Sequence, residues 1–141
     1  MPALVTMRMN YIWPCDYLPP KNIMIVRKIL LQAGTAPSIF REFDFVAISQ
    51  CNTAVDAMCL IKRDENNPDT ATLQHFWSEK QSVLIELIEY LKIDFDCKSL
   101  ICLADSKPSK YLLSDDNLTS LGFELDTLSN QKQFVYNRMP T

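Results

Sequence analysis

The sequence predicts an α/β fold, a mixed sheet flanked by two or three helices, on three observations. The segment VLIELIEYLKI (83–93) carries apolar residues at helical spacing, and SLICLA (99–104) follows it as a near-continuous apolar run of strand length. Short runs of β-formers recur at FDFVAIS (43–49), DAMCLIK (56–62) and QFVYNRM (133–139). Between Val83 and Asp126 the order reads helix, strand, helix, strand.

The first residues, MRMNYIWPCDYLPPK (7–21), mix aromatics with three prolines, so no long helix runs through them and an extended arm or edge strand is expected. NIMIVRKILLQA (22–33) has a wide apolar stripe that reads as a buried helix ended by Gly34. FDFVAIS and DAMCLIK, separated by the polar QCNTAV, form an expected antiparallel pair. RDENNPDT (63–70) is too polar to bury and reads as an exposed loop.

TATLQHFW (70–77) admits two readings: its alternation favours a short strand, while its bulk suits a segment packed over a sheet edge. Ser78, with Gln81 three residues on, is placed to cap the next helix. On that helix Val83, Leu84, Leu87, Ile88 and Leu91 share one face; Glu79, Ser82, Glu86, Glu89 and Tyr90 share the other. SLICLA reads as a central strand covered on both faces. Pro108 and Ser109 open a second helical stretch that Ser114–Asn117 interrupt, so two short helices or one with a kink are expected, and Gly122 stands where a helix C-cap precedes FEL.

At 141 residues, 48% of them apolar, the chain suits one domain with one sizeable core: an extended arm over 1–21 and a single α/β domain over 22–141. A net charge of -3, with 14 Lys and Arg scattered along the chain, argues against nucleic acid as a partner. No apolar stretch approaches the roughly 20 residues that span a bilayer, so a soluble protein is expected, in the cytoplasm or the nucleus, with no membrane partner.

Five widely spaced cysteines without a C-x-x-C pair predict no disulfide framework, and Cys59 and Cys102 lie in apolar runs where a free thiol acts as a small hydrophobe. The single His75 has no ligand-type neighbour at helical or hairpin spacing, which leaves no zinc motif and no local Cys–His motif. Asp64 with Glu65 and Asp115 with Asp116 read as loop solvation. Gly34 and Gly122 are the only glycines, so phosphate-cradling loops built on successive glycine amides are missing. No catalytic residue, cofactor or metal is assigned on these grounds.

VLIELIEYL, the strand with LIC, the LL segment closing on LGFE, the terminal FVYNRM and the strand CLIKR together resemble the C-terminal domain of ornithine decarboxylase antizymes, over residues 56–138. The resemblance implies an acetyltransferase-like fold without acetyl transfer. It implies a non-catalytic inhibitor in polyamine regulation that binds monomeric ornithine decarboxylase and presents it for degradation. Glu86 and Glu89 match the acidic positions the family uses on this helix, with Tyr90 where a further acid is expected, so these three are the implied partner-binding residues.

Two alternatives stand beside it. One is a GNAT-type N-acetyltransferase with a degenerate acetyl-CoA loop: TLQHFWSEKQ (72–81) stands where such enzymes carry a glycine-rich Q/R-x-x-G-x-G/A run. The other is an interaction subunit of an unrelated complex.

Overall fold

The computed structural model describes residues 8–52, 54–103, 114–126 and 133–138. Seven strands form one sheet: β1 (Arg8–Pro14), β2 (Phe45–Cys51), β3 (Ala54–Arg63), β4 (Thr70–Ser78), β5 (Ser99–Leu103), β6 (Glu124–Asp126) and β7 (Gln133–Asn137). Their spatial order is β1-β2-β3-β4-β5-β7-β6, and every pairing is antiparallel except β4 with β5. A parallel pair needs a crossover, which helix α2 (Gln81–Asp94) supplies. The remaining helices are α1 (Pro20–Gln32) and α3 (Asp115–Ser120), with 3₁₀ turns at Cys15–Tyr17 and Pro37–Glu42. The mixed sheet with flanking helices is the class the sequence predicts.

The N-terminal aromatics form edge strand β1, paired with β2 over its whole length. α1 begins two residues before the predicted start because Pro20 fits the first helical turn, and Gly34 follows its end at φ +78. Its wide apolar stripe is only half used: Val26, Ile29 and Leu30 are buried while Met24 and Leu31 face outward. The expected loop between β2 and β3 is shorter than its composition implies. Both strands run up to a turn at Asn52, whose φ of +56 is a conformation that Asn tolerates.

Alternation along β2 and β3 divides the interior in two. Ala47, Ala57, Cys59, Ile61, Ala71 and Leu73 pack with Val83, Leu84, Leu87, Ile88 and Leu91 of α2. Val46, Ile48, Met58 and Leu60 point to the opposite face, where Val26, Ile29 and Leu30 of α1 cover them. The small side chains Ala47, Ala57 and Ala71 leave room for the bulkier leucines of α2. The C-terminal end of α2 is tied down by Arg138, whose guanidinium donates to the carbonyls of Lys92 and Ile93, both at 2.7 Å. Lys92 donates to Leu121 O and lies 4.7 Å from the Tyr136 ring centroid.

Two expectations are corrected and a third is made specific. Ser78 ends β4 and does not cap α2; the N-cap is Lys80, without a side-chain capping bond. β5 alternates, with Leu100 and Cys102 buried and Ser99, Ile101 and Leu103 partly exposed, so it is not covered on both faces. Ser114 starts a helix: its Oγ accepts the Asn117 N–H at 3.1 Å, with Asp115 and Asp116 in the first turn of α3, where carboxylates suit the helix dipole. Gly122 ends α3 at φ +93 as predicted. The helix expected from Pro108 lies outside the described residues.

The burial pattern predicts a sharp contrast within the helices. Leu87→Ala, in the fully buried α2 seam, should destabilise the fold by about 2–5 kcal/mol, whereas Leu31→Ala, 65% exposed on α1, should change it by about 0.5 kcal/mol or less. Urea denaturation of the two variants measures this directly.

Candidate functional site

β4 pairs with β5 for only four residues, from Thr70↔Ser99 to Leu73↔Cys102. It then continues through Gln74–Ser78 with β3 as its only partner among the described residues. A local irregularity follows this last pair. On the β3 side the register passes from Leu60↔Gln74 to Met58↔Trp77, so His75 and Phe76 together oppose the single Cys59. A bulge of this kind bends its strand and sharpens the twist. His75 takes the left-handed φ of +57, a conformation uncommon outside glycine and costing about 1–2 kcal/mol for an L-residue. The bend falls just beyond the last described β4–β5 pair, Leu73↔Cys102, and turns the end of β4 toward α2.

The bent end of β4 leads directly into α2. Only Glu79 and Lys80 separate the two, and the Glu79 N–H is held by Asp56 O at 2.8 Å. Asp56 is itself fixed through its carboxylate by Arg8 at 2.8 Å, which also reaches Ser49 Oγ at 3.3 Å. The link is thereby pinned to β3 and β1. The first turn of α2 contains no acidic residue and no side-chain cap. The Val83 and Leu84 amides turn back on Lys80 O. The Gln81 and Ser82 amides have no intrahelical acceptor, which leaves a positive dipole end at the start of α2. Ser78, fully buried at the end of β4, has a hydroxyl without a hydrogen-bond partner among the described residues.

His75 is 8% exposed, with its ring edge-on to Phe43 at 5.5 Å between centroids. Burial lowers its pKa, against the opposing pull of Glu42, so the imidazole is neutral at neutral pH. All five cysteines are free thiols. Burial raises Cys59, Cys97 and Cys102, and pushes Cys15 up to about 12 with Asp44 and Asp16 adding to the effect. Thiols held this strongly protonated are poor nucleophiles. No group of three His, Cys, Asp or Glu side chains among the described residues could hold a metal ion.

The three residues implied by the antizyme resemblance lie on α2, beyond its first turn. Glu86 is exposed and 3.8 Å from Arg8; Glu89 is 3.6 Å from Lys92. Tyr90, placed by the wheel on the outer face, is partly buried and packs against the α2 core. Asp64 serves the β3–β4 loop, accepting the Asn66 N–H at 2.8 Å. The functional geometry that sequence reasoning missed is the bulge at His75. Its one trace was the broken alternation of TLQHFWS, where His75 and Phe76 are both buried.

No family model matches the chain, and no curated protein matches its sequence. Solved structures do match its fold. A probable acetyltransferase from Staphylococcus epidermidis aligns with a TM-score of 0.66 at 12% identity, over 94% of this chain and 100% of that one. The ribosomal-protein-S18-alanine N-acetyltransferase from Escherichia coli aligns at 0.64 and 15% identity, over 94% and 97%. A diaminobutyrate acetyltransferase from Paenibacillus lautus, in complex with its substrate and coenzyme A, aligns at 0.61 and 10% identity, over 96% and 98%.

The chain therefore has the fold of the GNAT acetyltransferases. These alignments overturn the antizyme resemblance, and with it the reading as a non-enzymatic inhibitor in polyamine regulation. VLIELIEYL and LGFE encode a helix packed on a sheet and a helix cap, features that belong to the whole fold and do not single out one branch of it.

Two outcomes test the site. Unfolding returns His75 to its ordinary pKa near 6.5, above its folded value, so protonation below that pH favours the unfolded chain. The stability contributed by neutral His75 is fully present above the unfolded value of 6.5, is lost as pH falls from there to the folded value, and stops changing below that. Denaturation midpoints should show this loss between pH 7.5 and 5.5 in the parent but less of it in His75→Asn, which tolerates positive φ and does not titrate (pH values about these figures). In a thiol-reagent titration, partly exposed Cys51 should react first in the native protein and the other four only on unfolding, and Cys51→Ser should remove the fast phase.

Proposed function

We propose that this chain is an N-acyltransferase of the GNAT fold that takes an acyl-coenzyme A thioester between β4 and β5, with a degenerate diphosphate cradle. The observation that supports it most directly is the bulge at His75 and Phe76, which bends β4 just before it passes into the uncapped start of α2. An extended ligand bearing amides can add to a strand edge, and the reading places it on the β5 side of β4 beyond Leu73, where β5 ends at Leu103 among the described residues. A diphosphate is an anion, and the α2 first turn offers the Gln81 and Ser82 amides at a positive dipole end, with exposed Lys80 adding a cation.

The residues fit this ligand at the level of backbone and charge; they depart from the fold's usual form in having no glycine from Thr72 to Gln81. Side chains at those positions hold the anion farther from the amides, and Glu79 beside Lys80 offsets part of the attraction. A bound thioester would supply the electrophilic carbonyl. The protein's part is positional: His75 fixes the bend, Asp56 and Arg8 fix the β4–α2 link, and the site brings an amine to the thioester at high effective concentration.

Isothermal titration of the full chain with acetyl-CoA tests the reading. Saturable one-to-one binding, displaced by free coenzyme A, is expected, with roughly tenfold weaker affinity in Lys80→Glu, the size that reversing one charge at a helix start implies. A folded protein that gives no saturable heat, and releases no free coenzyme A when supplied with primary amines, would refute it.

A further inference from the structure

A second concavity lies on the α1 side of the sheet at its β1 edge. Its volume is about 410 Å³, and its wall includes Cys15, Ile23 and Phe40 together with the charged Asp16, Arg27 and Arg41. β2 and β3 stand between this edge and β4, so it is separate from the proposed acyl-coenzyme A site. Three segments converge to make it: the 3₁₀ turn after β1, the first half of α1 and the 3₁₀ turn before β2. The N–H of Cys15 bonds Asp44 O at 2.9 Å, which joins the first segment to the chain leaving the third.

The lining divides by chemistry. Cys15 and Phe40 are buried at 7% and 8% exposure and, with Ile23, give an apolar floor. The Cys15 thiol stays protonated, so this floor carries no charge. Arg27 and Arg41 are exposed side chains arriving from different elements, and neither forms an ion pair with another described residue. Among the lining side chains two guanidinium groups face the single carboxylate of Asp16, while Asp44, outside the lining, also acts on Cys15. Guanidinium forks match the planar geometry of a carboxylate. The volume lies in the range of small-molecule sites.

From this arrangement we propose that the cavity binds a small carboxylate with an apolar body, the body on Ile23, Phe40 and Cys15 and the carboxylate between Arg27 and Arg41. Simple arylalkanoates and apolar amino acids share this chemistry. Asp16 in the wall favours the amino acid, whose ammonium it can receive. The site is independent of acyl-coenzyme A binding and would persist if that reading failed.

The experiment is an NMR titration of the full chain with phenylalanine and 3-phenylpropionate, using 3-phenylpropionamide as the uncharged control. Both carboxylates should give saturable shifts centred on residues 15–16, 23–27 and 38–41, with phenylalanine the tighter. Affinity should fall about tenfold or more in Arg27→Gln and in Arg41→Gln, each checked for an unchanged amide spectrum elsewhere. Excess coenzyme A should leave these shifts in place. Equal binding of the amide, unchanged affinity in both arginine variants, or displacement by coenzyme A would overturn the proposal.

Discussion

Two residues of β4, His75 and Phe76, stand opposite the single Cys59 of β3, and the rest of the molecule's working geometry depends on that mismatch. A regular β4 would run on without a bend. With the extra residue the strand keeps its bonds to β3 and bends, just beyond its last pair with β5 among the described residues, Leu73↔Cys102. The strain at His75, a left-handed φ on a non-glycine residue, is held in place by what surrounds it: Phe43 against its ring and strand pairing on either side of the bulge. Strain retained in this way is characteristic of positions where the fold serves a site.

The same bend fixes where α2 begins. Because β4 passes into α2 through only Glu79 and Lys80, the direction of the strand's last residues sets the position of the helix N-terminus. The opposite end of α2 is anchored independently, by Arg138 on the carbonyls of Lys92 and Ile93 and by the stacked leucine seam on the small residues of the sheet. A crossover helix secured at both ends and along its length presents a rigid positive end where β4 stops. The Arg8–Asp56 pair, partly buried, extends that rigidity to the edge strand β1.

Periodicity made most of this fold legible in the sequence. The α2 seam at Val83, Leu84, Leu87, Ile88 and Leu91, the β2–β3 pair and the Gly122 cap all follow from spacing and backbone preference, and the structure has each of them. The site was not legible in the same way, since a bulge is a relation between two strands and TLQHFWS contains only one of them. Ser78 shows the limit from the other side: its sequence context matches a capping box, yet pairing with Ala57 keeps it in β4 and gives the cap position to Lys80. The antizyme reading failed for a related reason. It rested on a helix, a strand and a cap that any member of this fold requires, while the bulge lay in a segment read only for what it lacked.

The missing glycines bear on affinity more than on whether an anion can be held. In a helix the Cα–Cβ bonds lean toward the N-terminus, so side chains at the first turn crowd the approach to its amides, and glycine relieves that crowding. The amides and their dipole are present whatever the side chains. Here the first turn brings no carboxylate of its own, and Glu79, the nearest acid in sequence, has its amide committed to Asp56 O. A cradle of this form holds its anion at longer range and is more easily screened by salt than one lined with glycine. On the proposed reading, binding energy comes in larger share from β4, and the bend at His75 becomes the feature that would chiefly set ligand recognition.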